Sequence, residues 1–159
     1  MINANDYQYL TSRVEEAKPG SLVFYYIWQA EDLDKFQNRI SHLSDVTFVI
    51  NQKLDFDSKN HFIILNPTNW RKEKARLAEV FYPIKSSMLQ FAITGTNGKT
   101  STTFLGMQLS KSWSKRSMYI GTLGIYIDNQ WVQTNHGFTT PDIIDYRQKV
   151  NKYQDRVDI

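Results

Sequence analysis

The chain has 159 residues, a length that suits one ordinary domain or two small ones. With 41% hydrophobic and 22% charged residues, it has the composition of a globular protein with a packed core, which excludes a disordered chain. The net charge is only +3, and no nucleic-acid-binding signature accompanies the short basic clusters, so we expect no nucleic-acid partner. The absence of cysteine excludes disulfide scaffolds and thiolate zinc sites.

Export and membrane insertion are not indicated. The first six residues lack the basic flank and apolar core of a leader, and the longest apolar run, Leu22 to Trp28, is too short to span a bilayer. The three histidines, His42, His61 and His136, lie far apart and form no metal-binding motif. We therefore expect a cytoplasmic protein.

The first half of the chain predicts a small α/β domain over residues 1–86. Apolar residues at helical spacing alternate with short apolar runs typical of buried strands. The predicted helices cover residues 5–17, 33–43 and 67–82, and the predicted strands cover residues 21–28, 46–50 and 61–65. The last helix ends before Pro83, and we place the domain boundary just after it, near residues 83–88.

The second half predicts the beginning of another domain over residues 87–159. A strand at residues 88–93 leads into a glycine-rich loop, which is followed by a helix from Thr100 to Trp113. A strand at residues 117–120 completes a β-loop-α-β unit with a right-handed crossover. A hairpin around residues 128–130 and a helix from Pro141 follow. The expected fold class is α/β: a small amino-terminal α/β domain, then the incomplete start of a P-loop-type parallel-sheet ATPase domain.

The glycine-rich loop, Gly95-Thr96-Asn97-Gly98-Lys99-Thr100, predicts a phosphate-binding site. A strand that passes through glycines into a helix leaves backbone N–H groups pointing into one concavity at the positive end of the helix dipole. Lys99 adds a cation for the outer phosphates, and Thr100 offers a hydroxyl to Mg²⁺. Only two residues separate the first glycine from the Gly-Lys pair, whereas the standard loop has four. The alternative is a simple Asn-Gly hairpin turn.

Four segments in order resemble the Mur ligase family, whose members join amino acids to peptidoglycan precursors. Residues 93–103, ITGTNGKTSTT, resemble the family's ATP-binding loop, and residues 77–83, LAEVFYP, resemble the stretch before its central domain. Residues 120–124, IGTLG, and residues 139–142, TTPD, resemble segments of the members that add the third residue of the stem peptide. The resemblance therefore implies an ATP-dependent ligase.

The resemblance also implies cofactors, substrates and site residues. It implies ATP and Mg²⁺ as cofactors, a UDP-MurNAc dipeptide and an amino acid as substrates, and an acyl phosphate formed on the substrate carboxylate. Lys99 is the expected catalytic residue, and Thr100 is the expected Mg²⁺ ligand. The expected cofactor-binding residues are Gly95, Thr96, Asn97, Gly98, Lys99, Thr100 and Ser101. Thr139 and Thr140 are expected to bind the nucleotide-sugar peptide, although Thr140-Pro141 also fits a plain helix start.

The first domain departs from the family pattern. Family members hold the uridine nucleotide with a Ser-Arg pair and an Asp-Gly-His-x-Phe stretch. Here Ser12-Arg13 carries the pair but lies two residues too far from Pro19-Gly20, and residues 32–36, DLDKF, lack the glycine and the histidine. The resemblance assigns Ser12 to the substrate.

Two other readings remain open. One is a folate-polyglutamate-type ligase of the same superfamily, and the other is a non-catalytic nucleotide-binding or interaction module. The 159 residues correspond to about the first third of a full ligase, so an excised fragment or a truncated relative is expected, without ligase activity in isolation. A parallel sheet of so few strands would expose an edge, so self-association is a further expectation.

Overall fold

The computed structural model of the protein describes residues 1–127, 129–134 and 141–159. The chain forms two compact units. Unit 1 comprises Met1–Pro83 together with Ile143–Asp145, and unit 2 comprises Ile84–Asp142 together with Tyr146–Ile159. The assignment of a uridine-nucleotide domain and an ATP-binding domain to the two halves stays a prediction.

Unit 1 is built on a four-stranded parallel sheet with the strand order β1-β2-β3-β4. Its elements are β1 (Tyr9–Thr11), β2 (Ser21–Phe24), α1 (Glu31–Ile40), β3 (Thr47–Ile50), β4 (His61–Ile64) and α2 (Pro67–Phe81). Leu22 and Phe24 pack into one core cluster with Leu77 of α2, whereas Val23 between them packs into another cluster with Phe36 of α1. The central strand β2 is thus buried on both faces, as a parallel sheet covered by helices requires.

The predicted helix over residues 5–17 is wrong. Its residues form short 3₁₀ turns at Ala4–Asp6 and Val14–Glu16 on either side of β1. The helical spacing arose because the apolar side chains of a strand and two turns happen to recur at similar intervals. Pairing of β1 with β2 overrides the local pattern, since it places Leu10 in the core.

The other predicted elements of unit 1 are confirmed, with one difference at β2. This strand ends at Phe24 and does not continue to Trp28. The Asn51 side chain accepts the N–H of Ile27 at 2.8 Å and donates to its carbonyl oxygen at 2.9 Å. A side-chain amide therefore satisfies backbone groups that a longer strand would have paired.

Unit 2 contains a helix, a three-stranded antiparallel sheet and most of a second helix. These elements are α3 (Lys99–Ser110), β5 (Met118–Gly121), β6 (Gly124–Ile127), β7 (Gln130–Thr134) and α4 (Ile143–Tyr153), whose first three residues belong to unit 1. A 3₁₀ turn at Lys111–Trp113 extends α3. Ile125 and Ile127 of β6 pack with Val150 of α4. The predicted helix after the loop and the predicted hairpin are confirmed.

The strand expected at residues 88–93 is wrong, and with it the parallel β-loop-α-β pairing in the described part of unit 2. Strand β5 pairs antiparallel with β6. The N–H of Leu89 bonds to the carbonyl oxygen of Asp158 at 3.1 Å, but residues 88–93 join no ladder. Phe91 is 71% exposed. An apolar run becomes a strand only when a neighbouring segment pairs with it. The α/β class with a parallel sheet is confirmed, because unit 1 contains such a sheet.

Among the described residues, no helix is both long and apolar enough to cross a membrane.

Candidate phosphate-binding loop

The glycine-rich loop runs directly into α3. Gly98 is the N-cap of this helix and has φ +79°, and Gly95 has φ +152°. Residues that carry a Cβ atom rarely adopt these backbone conformations, so glycine is the residue that lets the loop turn here. Because a helix follows the loop, a hairpin turn does not describe Asn97-Gly98. The loop therefore leads directly into the N-terminus of α3.

The N-terminus of α3 carries backbone donors that a ligand can use. The first intrahelical bond runs from the N–H of Thr102 to the carbonyl oxygen of Gly98, at 2.8 Å. The N–H groups of residues 99–101 precede that bond and have no place in the helix ladder. In this described part of the chain no side chain caps the helix, and residues 91–98 are exposed. These donors stand at the positive end of the helix dipole, which suits an anion.

The Lys99 side chain folds back over the loop. Its ammonium nitrogen donates to the carbonyl oxygen of Gly95 at 2.5 Å and to that of Thr96 at 3.2 Å. The cation and the helix N-terminus therefore belong to the same short segment. A phosphate bound here would meet both a full positive charge and backbone N–H groups, the combination that stabilises phosphoryl oxygens.

Thr100 offers one hydroxyl group beside the glycine-rich loop. Thr100 lies half-buried in the first turn of α3, next to Lys99. Within residues 1–127, 129–134 and 141–159, no group of three or more His, Asp or Glu side chains is arranged to hold a metal ion. Mg²⁺ in phosphoryl-transfer sites takes few protein ligands and completes its shell with water and substrate phosphates. One hydroxyl beside a phosphate loop is consistent with that pattern.

The remaining site residues lie elsewhere. Ser12 is in unit 1, half-buried in the turn that follows β1. Thr139 and Thr140 lie outside the described residues. The residues from Gly95 to Ser101 come together as one segment because they are contiguous in sequence.

Sequence reasoning missed one partner of the Ser12 turn. Arg13, the residue next to Ser12, donates to Oδ2 of Asp145 from Nε at 3.1 Å and from Nη2 at 2.8 Å. The hydrogen bond to Asp145 raises the pKa of Arg13 above its ordinary value. Asp145 is one of two acidic residues near the start of α4, and no local pattern in the sequence connects it to a residue 132 positions earlier.

Comparison with known proteins agrees with the motifs. The pattern of the Mur ligase middle domain matches residues 93–159. The UDP-N-acetylmuramoyl-L-alanyl-D-glutamate–2,6-diaminopimelate ligase of Listeria monocytogenes is 29% identical over 128 residues, which are 80% of this chain and 25% of that protein. The UDP-N-acetylmuramoyl-L-alanyl-D-glutamate–L-lysine ligase of Staphylococcus aureus is 25% identical over 147 residues, which are 92% of this chain and 29% of that protein.

A solved structure shows the same fold. The structure of a UDP-N-acetylmuramoyl-L-alanyl-D-glutamate–2,6-diaminopimelate ligase superposes on 96% of this chain with a TM-score of 0.70 and 18% sequence identity, and the match covers 30% of that protein. The chain thus spans between a quarter and a third of the length of these relatives. Motifs, sequence matches and fold agree: residues 93–159 match the Mur ligase middle domain, and the chain as a whole is similar to the amino-terminal part of Mur ligases.

Proposed function

We propose that the chain is the ATP- and substrate-binding portion of a ligase that adds the third amino acid of the stem peptide to UDP-MurNAc-L-Ala-D-Glu. The observation that carries this proposal is the uncapped N-terminus of α3, preceded by Gly98 in a left-handed conformation, with the Lys99 ammonium lying over the same loop. The similarity to Mur ligases supports the reaction class.

Each group of the loop has a role in this proposal. The N–H groups of residues 99–101 bind the phosphate oxygens of ATP, and Lys99 neutralises the charge of its outer phosphates. Thr100 contributes its hydroxyl to the Mg²⁺ that accompanies the nucleotide. When bound, ATP supplies the phosphoryl group that activates the substrate carboxylate as an acyl phosphate. Ser12, Thr139 and Thr140 bind the nucleotide-sugar peptide.

Two observations favour this function over the alternatives. The named relatives are ligases of UDP-N-acetylmuramoyl-L-alanyl-D-glutamate, which supports a muramoyl peptide substrate over a folate. The loop has kept its lysine, both glycines with positive φ and an exposed helix N-terminus, which supports nucleotide binding over a module without a ligand. The relatives differ in the amino acid they add, 2,6-diaminopimelate in one and L-lysine in the other, so both are candidate substrates.

Titration calorimetry with Mg-ATP tests the proposal. The 159-residue chain is expected to bind Mg-ATP, and Lys99→Ala is expected to weaken binding by about tenfold or more, because a charge-assisted contact to phosphate is lost. Lys111→Ala is the matched control, since it removes the same charge at the opposite end of α3, about 18 Å away by helix rise. Equal affinity of the parent chain and Lys99→Ala would contradict the proposed phosphate site.

A further inference from the structure

We propose that Arg13 and Asp145 are substrate-positioning residues, whose ion pair holds the turn carrying Ser12 against the first turn of α4. This inference rests on the proposed function, because the substrate in question is the nucleotide-sugar peptide. All three residues belong to unit 1. Neither member of the pair is assigned to contact the substrate; both act through the placement of Ser12.

The first step of the argument is the geometry of the pair. The guanidinium donates to Asp145 Oδ2 from two nitrogens, at 2.8 and 3.1 Å. The Asp145 side chain is 10% exposed and the Arg13 side chain is 33% exposed. Breaking such a shielded pair leaves a charge that water solvates poorly, whereas exposed ion pairs contribute little. The pair is therefore able to fix the position of the turn.

The second step is that the same turn is anchored on its other side. Thr11 is 4% exposed, and its hydroxyl accepts the N–H of Arg13 at 3.1 Å and donates to Glu16 Oε2 at 3.0 Å. The carbonyl oxygen of Leu10 accepts the Tyr82 hydroxyl at 2.6 Å. Ser12 thus lies between two residues held by hydrogen bonds, while it remains only half-buried itself.

The third step concerns the helix end. Ile144, the neighbour of Asp145, is fully buried in the same core cluster as Leu10. The first turn of α4 and the strand that leads into the Ser12 turn therefore contribute side chains to one core cluster. Ligands of parallel α/β sheets bind outside the carboxyl ends of the strands, which is where Ser12 follows β1.

The remaining charges near Arg13 do not replace Asp145. Glu16 Oε1 lies 3.8 Å from Arg13 Nε, which is an ion-pair distance without a hydrogen bond, and the Glu16 side chain is 43% exposed. Glu15 pairs with Arg39 at the surface. Asp145 is the more shielded acid and the one that accepts hydrogen bonds from the guanidinium, so it determines where Arg13 lies.

The test measures binding of UDP-MurNAc-L-Ala-D-Glu and of Mg-ATP to the 159-residue chain by calorimetry, with thermal unfolding of every variant. Arg13→Gln and Asp145→Asn are each expected to weaken binding of the nucleotide-sugar peptide by about tenfold, as misplacement of a contact residue does. Their affinity for Mg-ATP is expected to be unchanged. Arg39→Gln, which removes an exposed ion pair, is the control and is expected to bind both ligands as the parent does.

Rescue separates positioning from a structural role. The charge-reversed double variant, Arg13→Asp with Asp145→Arg, is expected to bind the nucleotide-sugar peptide more tightly than either reversed single variant. Unchanged binding in folded Arg13→Gln and Asp145→Asn would overturn the inference, as would losses that follow the unfolded fraction or affect both ligands equally. If the parent chain did not bind the nucleotide-sugar peptide, both the proposed substrate and this inference would be refuted. The Mg-ATP titration tests the phosphate-binding loop independently of that result.

Discussion

The ring of Tyr119 lies over Gly121 on the same face of β5, so closely that a Cβ at position 121 would collide with the tyrosine hydroxyl. Tyr119 is 1% exposed and packs against the rings of Phe104 and Trp131 at centroid distances of 5.9 and 6.2 Å. The tyrosine is held in this position by its neighbours and cannot yield freely. Packing therefore explains the glycine in the Ile120-Gly121-Thr122 motif.

Replacement of Gly121 by alanine is expected to lower the free energy of unfolding of unit 2 by about 1–3 kcal/mol, the usual cost of overpacking. Urea unfolding followed by tryptophan fluorescence measures it. Gly106→Ala is the matched control, because Gly106 lies within α3 and a Cβ there meets nothing within 4 Å. That variant is expected to gain roughly 0.5–1 kcal/mol from better helix propensity. Equal stability of the two variants would contradict this account of Gly121.

Replacement of Gly98 by alanine is expected to weaken Mg-ATP binding by about tenfold, because φ +79° costs a residue with a Cβ roughly 1–2 kcal/mol and the loop would relax away from it. A steric clash does not contribute to this effect, since the nearest atom to a Cβ at Gly98 is Thr102 Oγ1 at 3.8 Å. Calorimetry on Gly98→Ala and Gly106→Ala checks this. Equal affinity in both would show that the left-handed conformation is unnecessary.

Local patterns in the sequence predict the elements whose stability is local. Helix α2 is an example, because Asn66 caps it by accepting the N–H of Thr68 and Pro67 occupies its first turn. The position of the glycine-rich loop ahead of a helix is another. Here periodicity, capping and loop chemistry all point to the same structure.

Contacts distant in sequence explain what the patterns could not predict. The sequence predicts a helix where strand β1 forms. The partner strand β2 begins ten residues after β1 ends, and the spacing of apolar residues within β1 contains no information about that pairing. The ion pair of Arg13 with Asp145 joins residues 132 positions apart. Residues 88–93 show the opposite case, since a run with every local property of a strand forms none without a partner ladder.

Self-association through residues 88–94 is a further prediction. The segment MLQFAIT has no charge, proline or glycine, and it exposes Leu89, Phe91 and Ile93 at 56%, 71% and 38%. Uncharged apolar segments with unpaired backbone groups are templates for pairing with another chain. Light scattering after gel filtration is expected to show association that rises with concentration and is reduced in Phe91→Lys.

The control for this prediction is Trp28→Lys, which introduces the same charge at a side chain that is 79% exposed in unit 1. This variant is expected to associate as the parent chain does. If Trp28→Lys reduced association as much as Phe91→Lys, general charge repulsion would explain the effect, and the segment would have no special role.

The stability of unit 1 is expected to depend on pH through Glu73. Arg76 donates two hydrogen bonds to this carboxylate, at 2.7 and 3.0 Å, and the N–H of Ile2 donates a third at 2.8 Å. These hydrogen bonds, those from Arg76 first, hold the pKa of Glu73 below its ordinary value of 4.5. A carboxyl with a lowered pKa contributes stability that is present above the ordinary pKa and is lost as the pH falls through the folded-state value. Glu73→Gln should therefore be less stable at pH 7 and lose less stability on acidification. Urea unfolding between pH 7 and pH 3, with the exposed Glu31→Gln as control, measures both effects, and parallel pH profiles for all three proteins would refute the assignment.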